Sequence, residues 1–299
     1  MTTQPYPDPI GLRRALETRL NAESRRTGLP LDRIRKEAAM QRLLARVADV
    51  AAPDSWAFKG GLAMIARVGQ RARATSDADA TWRAGVAALT EILELAADLD
   101  LGDHFTFTIA APKSMQAEGP EQGLRFAVQS RVAGRLFEPL RLDLSIVTHD
   151  PRPVDVVQLR NLFDFAGFGP VQVPAIRTEQ QLAEKLHAYT RVYATGANSR
   201  AKDLYDMLVI AEQLPVPAIG ELRLACHGTY SLRTTPWPPA LEPPPGTWAS
   251  PWNEFVRTYG IRFVTLAEAY RGLRLFWEPV LSAVPHGLYS WDPGAWAWR

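Results

Sequence analysis

The sequence predicts an α+β chain, on three observations. Amphipathic helical segments open it, a run of alternating strands fills its middle, and further amphipathic helices close it. The expected division is 1–165 for the first helices and the strands, and 166–299 for a mainly helical carboxy-terminal part.

Residues 10–50 read as two helices. Leu12, Leu16 and Leu20 form the apolar stripe of the first, and Ile34, Met40, Leu43, Leu44 and Val47 that of the second, with arginines outward. Gly28-Leu29-Pro30 breaks them, Asp32 opens the second and Pro53 closes it.

The stretch Phe58–Asp79 carries the strongest chemical signal. Lys59-Gly60-Gly61 makes a turn before the short apolar run Leu62, Ala63, Ile65 and Ala66. Glycines let a ligand approach the main chain, and the helix start behind them favours phosphate. Asp77 and Asp79 are two apart, so on an extended strand both carboxylates share a face. Paired hard oxygens suit Mg²⁺, which binds through one or two carboxylates plus substrate phosphates.

A helix is expected over 82–98, with Val86, Leu89, Ile92, Leu93 and Ala96 on one face. Strands follow at 105–109, 124–128 and 140–147. In the last, Leu140, Leu142, Leu144 and Ile146 take one face while Arg141, Asp143 and Ser145 take the other. The prolines and glycines of 150–177 read as a link. Thr178 and Gln181 read as a capping box for a helix whose stripe is Leu182, Leu186, Tyr189 and Tyr193, with Lys185 beside it. After Gly196–Ser199 a second helix carries Asp203 and Asp206 on one flank. His104, His149 and His187 read as ordinary residues without a metal-ligand partner, His187 on a helix surface. Residues 215–260 read as a rigid extended segment, the stretch around 266–281 as a last amphipathic helix, and the tail from Trp291 as loose.

Composition sets the bounds. At 46% hydrophobic and 22% charged, the 299 residues read as an ordinary globular chain. No apolar run approaches the roughly 18 residues of a membrane span, and the start shows no secretory signal, so the cytoplasm is expected. One cysteine, Cys226, excludes a disulfide framework and a cysteine-built metal site. Net charge is only +2, yet residues 1–73 hold 14 Lys/Arg against 7 Asp/Glu. That surplus is either a polyanion surface or a solvated helical face.

Lys59-Gly60-Gly61, Arg73, Thr75, Asp77 and Asp79 resemble the signature of the AbiEii toxin family, a branch of the polymerase-β-like nucleotidyltransferase superfamily. Glu184-Lys185-Leu186-His187-Ala188, then Arg200-Ala201-Lys202-Asp203-Leu204-Tyr205-Asp206, match a second family pattern, and the approach to Phe276-Trp277-Glu278-Pro279-Val280 a third. The resemblance implies a nucleotidyltransferase core, a small mixed sheet with flanking helices, followed by a mainly helical domain. It implies Asp77, Asp79 and Asp143 as ligands of a two-metal Mg²⁺ site. Lys59, Gly60, Gly61, Thr75, Ser76 and Lys185 would bind the NTP, and Asp203 would hold Lys185. The activity implied is addition of nucleotides to the tRNA 3′ end by the toxin of a toxin–antitoxin system, blocking translation in phage defence. The antitoxin, encoded separately, would act on expression or by modification. Transfer to a protein or small molecule, and a non-catalytic nucleotide- or partner-binding module, are the alternatives. Thr75 or Ser76, just before Asp77, is a candidate phosphorylation site.

Overall fold

The computed structural model describes residues 6, 8–73, 75, 77–115, 121–147, 154–191, 200–282 and 289–299; Ser76, His149, Tyr193 and Gly196–Ser199 lie outside them. It divides into a first unit of Met1–Gln70 and Ala74–Ile176, and a second of Arg71–Arg73 and Arg177–Arg299. No helix among the described residues is long and apolar enough to cross a membrane.

The first unit opens with α1 (Pro9–Thr27) and α2 (Leu31–Val50). The Asp8 carboxylate accepts the Ile10 and Gly11 amides and starts α1; Gly28, at φ 72°, ends it. Then come β1 (Trp56–Lys59), α3 (Gly60–Val68), β2 (Ala78–Trp82), α4 (Val86–Asp98), β3 (Phe105–Ile109), β4 (Lys113–Met115), β5 (Gln122–Val132), β6 (Arg135–Ile146), β7 (Val154–Gln158) and β8 (Gln172–Ile176). They form one mixed sheet in the order β3-β5-β6-β2-β1-β8-β7, with β4 on β5. The pairs β2–β6 and β1–β8 are parallel, the others antiparallel. One sheet face is apolar and packs with α2 and α4 into a single core.

Residues 154–158 and 172–176, expected within a link, are therefore strands of this sheet, and 166–176 belongs to the first unit. The glycines and Pro170 fall in the turn between the strands. Val154, Val156 and Val157 carry the β-forming signal that the punctuation masked.

Most of the amino-terminal arginines are structural. Arg46 and Asp103, both fully buried, pair at 2.6 Å, and Arg42 Nε donates to the same carboxylate at 2.6 Å. Burial alone would raise the Asp103 pKa; the two guanidiniums outweigh it and leave it lowered. Arg13 donates to the carbonyls of Val132, Arg135 and Leu136, Arg35 to that of Phe137, and Arg33 is buried. Part of the local surplus of charge thus holds α1 and α2 to the sheet and to the β3 approach, while Arg14, Arg19, Arg25 and Arg26 on α1 stay exposed.

The second unit is mainly helical: α5 (Thr178–Thr190), α6 (Ala201–Gln213), α7 (Ile219–Leu232), α8 (Ala249–Tyr259) and α9 (Leu266–Leu281), then a hairpin of β9 (Trp291–Asp292) and β10 (Ala297–Trp298). Thr178 is the first helical residue and Arg177 the cap, so the expected capping box does not form. The 215–260 stretch is extended only in part. Its prolines precede α7, fill 236–245 and occupy the first turn of α8, where a missing N–H costs nothing. His187 is buried rather than exposed, between Thr235 and Arg233.

The tail is not loose. Trp291 Nε1 donates to Ala211 O at 2.7 Å, Trp296 Nε1 to Gly272 O at 2.9 Å and Trp298 Nε1 to Phe276 O at 2.8 Å. The first bond has a clear cause. Residue 215, which would donate to Ala211 O in a continuing helix, is proline. Trp291→Ala is expected to lower stability by about 3–5 kcal/mol in urea unfolding; a change under about 0.5 kcal/mol would restore the loose tail.

Candidate active site

The sheet register builds the site. Lys59 on β1 is the cross-strand partner of Asp79 on β2, Asp79 of Asp143 on β6, and Asp143 of Arg125 on β5. Partners stand on the same face. Four charged side chains therefore form one row across four strands, Lys-Asp-Asp-Arg, and Lys113 on β4, opposite Arg125, extends it. The adjacent row, Phe58, Ala80, Leu144 and Leu124, points the other way and is buried. Asp77 and Arg141, each two residues before the row, meet at 3.0 Å.

Strands about 4.8 Å apart bring the Asp79 and Asp143 carboxylates close enough to repel. The flanking cations offset this. Arg125 grips Asp143 with both prongs, Nε to Oδ1 at 2.7 Å and Nη2 to Oδ2 at 2.6 Å. That hydrogen bond, and then the Asp143 charge, push the Arg125 pKa above its ordinary value, with Asp77 and Asp79 adding to the effect. Lys59 Nζ donates to Ser145 Oγ at 3.0 Å and lies 3.7 Å from Glu121.

The two glycines are required by close approach. Gly60 sits at φ 62°, and a Cβ there would lie 2.3 Å from Asp79 Oδ2. A Cβ on Gly61 would lie 2.7 Å from Thr75 Cβ. Thr75 in turn donates its hydroxyl to Asp77 O at 2.9 Å. Turn and carboxylate strand are thus seated on each other, with Asp79 held at the start of α3.

Among the described residues no three Asp, Glu, His or Cys side chains are grouped as a ready metal cage. Asp143 is turned to Arg125 and Asp77 to Arg141. The donor chemistry nevertheless fits Mg²⁺, because Asp79 and Asp143 are hard oxygen donors in register, and such a cation needs few protein ligands when phosphates supply the rest.

The second unit gathers Lys185, Asp203, Asp206 and Arg73. Lys185 Nζ lies 2.5 Å from Asp206 Oδ2 and 3.3 Å from Asp203 Oδ1, and Arg73 Nη2 is 3.0 Å from the same Asp206 oxygen. Asp206 is fully buried and Lys185 nearly so. Burial pulls the Lys185 pKa down, but Asp206 and Asp203 outweigh it and the pKa is raised. Burial likewise pushes Asp206 up, and Lys185 with Arg73 bring it below its ordinary value. Arg200 is 3.6 Å from the other Asp203 oxygen.

The structure therefore brings Lys59, Gly60, Gly61, Thr75, Asp77, Asp79 and Asp143 together in the first unit, and Lys185 with Asp203 in the second. Sequence reasoning put Arg141 and Ser145 on the face of Asp143 but missed Arg125 beside it, and missed that Arg141 pairs with Asp77 and Ser145 with Lys59. The alternation of Leu124, Arg125 and Phe126 carried the signal, since it sets Arg125 on the polar face.

Two outcomes are expected. Gly60→Ala should abolish function and lower stability by about 1–3 kcal/mol, because the site tolerates neither the side chain nor the backbone geometry it prefers. Asp206→Asn should cost about 3–5 kcal/mol at neutral pH, leaving the buried Lys185 and Arg73 charges uncompensated. The folded Asp206 pKa is depressed, so its contribution is present above the ordinary value of 3.8 and lost as pH falls through the folded value. Wild type and variant should converge in acid; parallel curves down to unfolding would refute the assignment.

Comparison with known proteins bears on the fold and the family. The structure resembles MenT4, a nucleotidyltransferase toxin from Mycobacterium tuberculosis H37Rv, with a TM-score of 0.58 and 17% identity over 93% of this chain and 92% of that one. At that identity the likeness is one of fold. No curated protein sequence matches. The family model described as "Nucleotidyl transferase AbiEii toxin, Type IV TA system" matches residues 42–271, from α2 into α9 and across both units. The chain therefore belongs to the AbiEii nucleotidyltransferase toxins of type IV toxin–antitoxin systems.

Proposed function

We propose that this toxin transfers a nucleotide from an NTP to the 3′ end of tRNA, and so blocks translation. Family membership implies the NTP and a separate antitoxin; the tRNA acceptor and Mg²⁺ dependence are the proposal's own. The observation that supports it is the Lys59-Asp79-Asp143-Arg125 row beside a glycine turn with no room for a side chain.

Asp79 and Asp143, with Asp77 beside them, would hold the Mg²⁺. When bound it supplies polarisation of the α-phosphate and neutralisation of the charge that develops there. The chain's own groups do the rest. Gly60 and Gly61 admit phosphate to the main chain at the start of α3, and Thr75 braces that turn. Lys59, held by Ser145, offers a cation at one end of the row, and Arg125 one at the other. Asp143 accepts the proton of the attacking 3′-hydroxyl as pyrophosphate leaves. In the second unit Lys185 is the proposed triphosphate-binding ammonium and Asp203 its holder; buried and held on Asp206 at 2.5 Å, it would have to turn from that carboxylate to meet phosphate. The reading further proposes a cytoplasmic location, and an antitoxin acting on expression or by modification.

The test supplies purified protein with Mg²⁺, bulk tRNA and each labelled NTP, beside Asp79→Asn. Label passing to tRNA, reduced at least about a hundredfold in the variant, is expected. Label on protein instead would move the acceptor and keep the site. Transfer undiminished in the variant would remove the row from the chemistry.

A further inference from the structure

The polar sheet face continues beyond the carboxylates. From Arg125, β5 runs on through Ala127, Gln129 and Arg131, and β3 sets Thr108 opposite Gln129 and Thr106 opposite Arg131. Thr106, Thr108, Ala127 and Gln129 are exposed, Arg131 is half-buried, and the alternate residues of β5 are buried core. Antiparallel sheets commonly leave one face to water. What this face carries is not ordinary surface chemistry. Strands β3, β4 and β5 hold no aspartate or glutamate at all, and their charged residues are Lys113, Arg125 and Arg131. Arg141, half exposed on β6, adds a fourth cation beside Ala127. The negative groups on the described face lie at one end, in Asp77, Asp79, Asp143 and, beside Lys59, Glu121. The result is a flat strip of small polar side chains, about 20 Å from Arg125 to Arg131 at the rise of a strand, cationic along its length and ending at the carboxylates.

We propose that this strip binds the acceptor RNA, its phosphates running over Lys113, Arg125, Arg141 and Arg131 and its 3′ end arriving at Asp79 and Asp143. The inference rests on tRNA being the acceptor, and it moves the RNA away from the amino-terminal helices. Arg13, Arg35, Arg42 and Arg46 there are taken up by Asp103 and by main-chain carbonyls, whereas the strip's outer cations, Lys113 and Arg131, are not held in buried pairs. Charge complementarity decides the occupant. A strip whose large exposed side chains are polar or cationic, apart from Leu136 opposite Arg131, suits a phosphate chain better than a protein surface.

Fluorescence anisotropy of labelled tRNA with the full chain tests this, using Lys113→Glu, Gln129→Glu and Arg131→Glu, none of which touches the carboxylates, and Arg14→Glu on exposed α1 as the control. NTP binding is followed in parallel. Each cation reversal should weaken tRNA binding and reduce the slope of log affinity against log salt by about 0.7–0.9, and Lys113→Glu/Arg131→Glu should weaken it at least roughly tenfold. For Arg131→Glu, NTP affinity should stay within about twofold, and Arg14→Glu should bind tRNA as wild type does. Wild type that binds tRNA while the reversals leave affinity and slope unchanged would overturn the strip alone. Wild type that binds no tRNA yet transfers nucleotide to protein would overturn the tRNA reading and the strip with it.

Discussion

The candidate site depends on strand register. Lys59, Asp79, Asp143 and Arg125 stand in one row only because four strands pair at one offset, and a slip of one residue on any of them would turn its charged member into the core. The opposite face fixes that offset. Phe58, Ala80, Leu144 and Leu124 are buried under α2 and α4, and Trp56 stacks on its partner Trp82 at 5.8 Å. A slipped register would bury two carboxylates and expose this row, a cost of several kcal/mol. The apolar core thereby decides where the polar chemistry stands.

Local repulsion is then offset by neighbours rather than by distance. Asp79 is seated at the start of α3, where Gly60 leaves no room for anything else, and Asp143 is held by a guanidinium fork. The second unit solves a related problem by burial. Two carboxylates, Lys185 and Arg73 share a closed cluster in which removing any one charge is costly. Its carboxy-terminal hairpin meets a different need, because Trp291 supplies the donor that Pro215 withholds from Ala211 O.

Much of this was legible in the chain. The leucine stripes of the opening helices, the alternation of 140–147 and the turn–helix–carboxylate order each follow from a period the eye can test. Asp143 declared its face in the same way. Less legible were features that exist only after pairing. No period reveals that Arg125 falls opposite Asp143, nor that Asp103, distant in sequence, receives Arg42 and Arg46. Counting arginines therefore could not separate those the fold uses as ties from Arg14, Arg19, Arg25 and Arg26, which stay exposed. Prolines misled for a simpler reason. In 215–260 they mark segment ends, between which two helices form undisturbed, and in 150–177 the strand 172–176 forms with Pro174 inside it. The tryptophans of the tail, read as loose, gained partners only once α6 and α9 were in place.

The most direct test of the central claim is a crystal structure with Mn²⁺ and a non-hydrolysable NTP, using the anomalous signal to locate the metal. The account predicts metal between Asp79 and Asp143, with phosphates against Gly60 and Gly61 and the Arg125 fork opened. Metal and nucleotide ordered elsewhere, with Asp143 still held by Arg125, would contradict it.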